Sequence, residues 1–142
     1  MSTIQLDIVT AERLLFSELV DGVVVPGEIG ELTILPRHAP LLSSLKSGEL
    51  RVITGGEERY IAISGGFMEV LGNKITVLAD TAERSEEIDI ERAEEAFKVA
   101  QEEMESAVSD VDLQKALASL RRSRIRIKVA RRKRSNTPTI QT

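Results

Sequence analysis

The hydrophobic period of this chain changes once, near Glu83, and that change limits the folds open to it. Before Glu83 the apolar residues follow the period of two that sends alternate side chains to opposite faces of a sheet. They run Ile4, Leu6 and Ile8; the β-branched Val23, Val24 and Val25; Leu50 and Val52; Tyr60 to Ile63; Phe67 to Leu71; then Ile75, Val77 and Leu78. After Glu83, Ala93, Phe97, Ala100, Met104 and Ala107 recur at three- and four-residue spacing, as do Leu113, Leu117, Leu120 and Ile127, and neither Gly nor Pro appears again until Pro138. The expected class is α+β: a sheet domain over 1–84, a two-helix hairpin over 85–134, and a disordered tail over 135–142.

Turn chemistry narrows the sheet domain further. Asp21 with Gly22, Gly55 with Gly56, and Gly72 with Asn73 stand between apolar runs, and the last two pairs suit short hairpin loops that need positive φ. Many short strands joined by close turns imply a β-sandwich or barrel, because no helical stretch lies between them to build parallel crossovers. In the second part, helices are expected over roughly 88–107 and 112–133, with Ser109, Asp110 and Asp112 able to cap the second. A connection this short makes them antiparallel. The first helix offers mainly alanine to its partner, so at about 25 cal/mol per Å² the seam is weak. Joined to the sheet through the polar segment Thr81 to Glu87, such a hairpin is expected to open.

Composition excludes several function classes. A hydrophobic fraction of 42% with 30% charged residues suits a soluble globular protein. Aromatics are only 3%, confined to Phe16, Tyr60, Phe67 and Phe97, too few for a base-stacking surface. With no cysteine there is no disulfide framework, thiol chemistry or zinc–thiolate site. Met1 to Gln5 lack the basic start and apolar run of a signal peptide, and no stretch approaches the roughly 20 apolar residues of a membrane span. A membrane would matter only through a partner.

No catalytic constellation is evident. The single histidine, His38, has no second metal ligand at useful spacing and reads as a loop histidine bonded to its own turn. Ser64, Gly65 and Gly66 are not followed by the Lys-Ser/Thr of a phosphate loop. No nucleophile–base pair is apparent, so a stand-alone enzyme is disfavoured and no catalytic residue, metal or required cofactor is expected.

The hairpin carries the stronger signal, because its charge is split. The formal net charge of −4 conceals an acidic stretch from Glu83 to Asp112, relieved only by Arg84, Arg92 and Lys98, and an acid-free stretch from Arg121 to Arg134. In an antiparallel hairpin the start of the first helix lies near the end of the second. Arg92, Arg122 and Arg126 could then meet one anion, with Asp89 and Glu83 near enough to accept hydrogen bonds from a base or ribose. Against this, Asp89 is a good N-cap and Arg-rich helix ends suit the helix dipole. The basic run itself, Arg121, Arg122, Arg124, Arg126, Lys128, Arg131, Arg132, Lys133 and Arg134, could bind nucleic acid or an acidic protein surface. Overall acidity and the lack of interleaved aromatics favour the protein.

Three separate runs resemble one family. Gly30 to Leu42 (GELTILPRHAPLL), Ile63 to Val70 (ISGGFMEV) and Leu78 to Arg84 (LADTAER), in this order and ahead of a helical hairpin, are similar to the epsilon subunit of bacterial F-type ATP synthases. Thr33 departs from that pattern, which usually has Gly there. The resemblance implies an N-terminal ten-stranded β-sandwich of two five-stranded sheets, docked on the gamma subunit and the c-ring, with Glu31 and His38 facing the c-ring. It implies a rotor-stalk, non-catalytic role on the cytoplasmic side of a membrane, as a peripheral protein. The C-terminal hairpin would be mobile and would restrain ATP hydrolysis when extended toward the alpha/beta hexamer. There Arg121, Arg122, Arg124, Arg126, Lys128, Arg131 and Arg132 would meet acidic segments of beta, and nucleic acid would play no part. Ile88 to Ala93 (IDIERA) further resembles the signature of members that bind ATP as a regulatory ligand in the folded hairpin. That implies a site of Glu83, Ile88, Asp89, Arg92, Ala93, Arg122 and Arg126, with Val99 where strong binders carry another Arg.

Overall fold

The computed structural model describes residues 2–135, with side chains described through residue 132. The first compact unit runs to Arg84 and the second begins at Ser85. Eight strands build the first: β1 Ile4–Val9, β2 Leu14–Val20, β3 Gly22–Pro26, β4 Glu31–Ile34, β5 Leu41–Thr54, β6 Glu57–Val70, β7 Lys74–Ala79 and β8 Ala82–Arg84. All pair antiparallel except β1 with β7.

The two 14-residue strands explain how eight strands make a sandwich. The first half of β5 pairs with the second half of β6, which continues into β7, β1 and β2. The second half of β5 pairs with β3 and through it β4, while the first half of β6 takes β8 on its other side. Counting each half separately gives five strands in each layer, the two five-stranded sheets expected. The crossing point is Lys46 opposite Gly65, the one position the ladder skips between Leu45↔Gly66 and Ser47↔Ser64. Gly65 and Gly66 stand there at φ 86° and 134°, conformations costly for any side chain. At Gly66 an added Cβ would lie 2.1 Å from the Leu78 carbonyl oxygen, so β7 can approach only a glycine.

One core closes the layers. Ile4, Leu6 and Ile8 of β1, Met68 and Val70 of β6, and Ile75 and Val77 of β7 meet Val23, Val25, Leu50, Val52, Ile61 and Ile63 of the other sheet, all buried. Each is worth about 1.5–3 kcal/mol of transfer from water. The expected hairpin loops occur: Gly55 and Gly56 take φ 59° and 79°, Gly72 and Asn73 take 59° and 56°, and both pairs join adjacent antiparallel strands. Asp21 accepts a hydrogen bond from the Gly55 N–H at 2.7 Å, tying two turns together.

Three strands go beyond the sequence reading. In β2 the pairing shifts between Ile8↔Phe16 and Val9↔Leu14, leaving Leu15 as a bulge, so Leu15 and Phe16 are both buried and the period of two is lost. Thr33, where the family pattern usually has Gly, sits in β4 opposite Val24 as an ordinary strand residue. Thr81 to Glu87 is also more structured than a polar linker: Ala82–Arg84 form β8 and Ser85–Glu87 a 3-10 turn.

The second unit holds α1, Ile90–Glu105, and α2, Asp110–Ser135. Asp89 caps α1 by accepting the Arg92 N–H at 3.2 Å, and Ser109 caps α2 by accepting the Asp112 N–H at 3.1 Å. Glu94 near the start of α1 pairs with Arg131 near the end of α2 at 3.5 Å, which makes the helices antiparallel. Ala93 and Ala100, seven apart, are buried on α1, and Ala116, Ser123 and Ala130, seven apart, on α2. Small residues at heptad spacing let the backbones come close, while Leu113, Leu117, Leu120 and Ile127, expected to carry the seam, are only half-buried. Of the disordered tail expected over 135–142, Ser135 instead ends α2, and residues 136–142 lie outside the described residues.

Candidate functional sites: a sandwich face and the hairpin flanks

Cross-strand register builds an apolar row on the outer face of the first sheet. Leu14 lies opposite Val9, Val9 opposite Leu78, and Leu78 opposite Phe67, so four neighbouring strands each contribute one side chain to a line. Leu14, Leu78 and Phe67 are 59%, 54% and 56% exposed, although their chain neighbours Leu15, Val77 and Met68 face the core. Three large apolar side chains aligned on solvent form an exposed patch of the kind that protein interfaces use. Beyond the row, the same face is polar and braced: Asp7 accepts hydrogen bonds from Ser17 at 2.7 Å and Gln5 at 2.9 Å and pairs with Lys74 at 3.3 Å. The Gln5 and Ser17 hydrogen bonds, helped by Lys74, hold the Asp7 carboxyl below its ordinary value.

At one end of the sandwich, the loop between β3 and β4 exposes Ile29 fully, and Leu42 projects beside it. Together with Glu31, Leu32 and Leu41 they line a hollow of about 590 Å³. Glu31 stands on β4, which pairs with β3 alone, and its carboxylate meets Arg51 at 3.3 Å. His38 lies 2.7 Å through Nδ1 from the Ala39 carbonyl, the turn-bonded arrangement expected for it. Asn73 braces the neighbourhood by accepting the Arg37 N–H and donating to the Thr3 carbonyl, each at 2.9 Å.

The hairpin arginines divide between two flanks. A helix advances 100° per residue, so Arg122 and Arg126 share one side of α2, while Arg124, Lys128 and Arg131 share the opposite one. On the first flank, Arg92 and Arg122 are exposed, Arg126 is half-buried, and Arg122 donates to Ser119 Oγ at 3.1 Å. Ile88 and Ala93 are buried, Asp89 is engaged as the α1 cap, and Glu83 lies on β8 of the sandwich unit. On the second flank, Phe97 and Ile127 floor a groove of about 740 Å³ walled by Lys98, Arg124, Lys128 and Arg131. The sequence reading had not singled out this groove. Its signal was two stripes of i, i+3, i+4, i+7 spacing, 94–97–98–101 on α1 and 124–127–128–131 on α2. Among the described residues there is no cluster of metal-ligating side chains, and no helix is long and apolar enough to cross a membrane.

The fold and its surfaces define a β-sandwich bearing a capped helical hairpin, with an apolar row on one sheet and cations on both hairpin flanks. The ATP synthase delta/epsilon chain beta-sandwich domain matches residues 3–85, and the delta/epsilon long alpha-helix domain matches residues 86–131. The chain belongs to the epsilon-chain family of bacterial ATP synthases. It is 51% identical over 137 residues to an ATP synthase epsilon chain of Dehalococcoides mccartyi, covering 96% of this chain and 98% of that one. To the epsilon chain of Desulforamulus reducens it is 52% identical over 128 residues, covering 90% and 97%. Among solved structures, a chain of the Euglena gracilis mitochondrial ATP synthase, solved with OSCP, F1 and c-ring in rotational state 1, shares the fold at TM-score 0.75 and 23% identity. That likeness covers 85% of this chain and 77% of the other.

Proposed function

We propose that this chain is a non-catalytic subunit of the central stalk, joining gamma to the c-ring, and that its hairpin restrains ATP hydrolysis. The observation that carries the docking role is the apolar row Leu14–Val9–Leu78–Phe67, which offers a stalk partner a rigid, preformed face. The hollow beside Ile29 and Leu42, with Glu31 on its rim and His38 on the following loop, supplies the contact with the c-ring. The complex holds the protein at the cytoplasmic face of the membrane. When the hairpin extends, Arg121, Arg122, Arg124, Arg126, Lys128, Arg131 and Arg132 meet acidic segments of the alpha/beta hexamer. When it is folded, ATP acts as a regulatory ligand of Glu83, Ile88, Asp89, Arg92, Ala93, Arg122 and Arg126. Support for the open state comes from the helices' buried side chains, since Ala93, Ala100, Ala116 and Ala130 each bury little area and, among the described residues, Val129 is the one larger apolar side chain buried with them.

Deleting residues after Glu87 tests the reading in the assembled complex. Assembly is expected to persist and ATPase activity to rise; unchanged activity with normal assembly would refute the inhibitory role. Calorimetric titration of the whole chain with ATP, repeated for Arg92→Ala and Arg126→Ala, tests the ligand. Absence of heat at millimolar ATP removes it.

A further inference from the structure

We propose that the groove floored by Phe97 and Ile127 binds a small amphiphilic anion: a phosphate monoester or carboxylate on an apolar body about 10 Å long. The length follows from the matched stripes, which run seven residues along each helix at 1.5 Å per residue. Apolar character follows from Phe97. It is the single aromatic residue after Tyr60 and Phe67, yet alanines fill the seam and leave Phe97 half-exposed in the groove. Charge sets the sign of the ligand. Lys98, Arg124, Lys128, Arg131 and Arg132 surround the floor in a chain of net charge −4, and Glu94 is the one acid lining it, already paired to Arg131 at 3.5 Å. Lys98, Arg124 and Lys128 have no ion pair among the described residues. Three arginine forks and two ammonium groups over an apolar floor suit an anionic head whose tail lies along the seam. The groove lies on the flank opposite Arg122 and Arg126, so the inference is independent of the ATP reading.

Decyl phosphate is the probe, titrated into the full chain with amide chemical shifts followed residue by residue. Saturable shifts centred on Phe97, Lys98, Ile127 and Lys128 are expected. Arg124→Glu with Lys128→Glu should weaken binding about tenfold, while Lys46→Glu with Lys115→Glu, an equal charge change at exposed positions off the groove, should change it less than about twofold. Equal weakening by both pairs would reduce the effect to bulk charge and overturn the site. So would equal affinity for inorganic phosphate or for decyltrimethylammonium, since the first needs no floor and the second no cations. Binding to phosphatidylglycerol vesicles or to an acidic helical peptide, with no shifts from free decyl phosphate, would assign the groove to a membrane or protein surface and refute the proposal.

Discussion

Replacing Gly66 with alanine tests whether the crossing of the two sheets rests on one close backbone approach. Two costs combine. At φ 134° a residue with a Cβ is strained by about 1–3 kcal/mol. The added carbon would also lie 2.1 Å from the Leu78 carbonyl oxygen and 2.8 Å from Ala79 Cα, so β7 must retreat by roughly 1 Å, at about 1–3 kcal/mol for overpacking. The total, about 2–6 kcal/mol, is a large share of the roughly 4–13 kcal/mol expected for a unit of this size. At about 4–8 °C per kcal/mol, the sandwich should melt at least about 8 °C lower, or not fold. Gly56→Ala is the control, because φ 79° is also unfavourable there but nothing lies within 4 Å of the new Cβ. It should cost about 1 kcal/mol. Thermal and urea unfolding of the three proteins decide the matter. If Gly66→Ala loses no more than Gly56→Ala, the approach of β7 to β6 does not determine the crossing.

The depressed Asp7 carboxyl stabilises the fold above its unfolded-state value near 4, and that contribution disappears as pH falls through the lower folded value. Melting temperatures between pH 6 and 2.5 should therefore fall more steeply for the parent than for Asp7→Asn, with parallel curves refuting the assignment. Asp89→Ala removes the α1 cap and should cost the hairpin about 1 kcal/mol, read as faster amide exchange over the first turn of α1 with exchange in β1 and β7 unchanged.

Local chemistry made part of this protein legible from sequence. Gly55–Gly56 and Gly72–Asn73 tolerate the positive φ that short hairpin loops require, Asp89 and Ser109 can cap the helices that follow them, and the three runs point to one family. Other elements had no local signal. Leu15 bulges because Phe16 must pair with Ile8, and Ala82–Arg84, three residues of mixed polarity, form a strand because β6 has an open edge beside them. The candidate sites divide in the same way. Residue types identified the cations, but helix phase and the closeness of the alanine seam separated Arg122 and Arg126 from the groove containing Lys98, Arg124 and Lys128.

The change of period at Glu83 therefore determined by itself that a sheet gives way to a helical hairpin, because side-chain direction follows backbone period without reference to any distant residue. Tertiary structure alone decided that β5 and β6 each serve both layers, that Leu14, Val9, Leu78 and Phe67 align into one exposed row, and that Phe97 faces a groove. Those outcomes depend on register and packing between segments far apart in the chain, which no local pattern encodes.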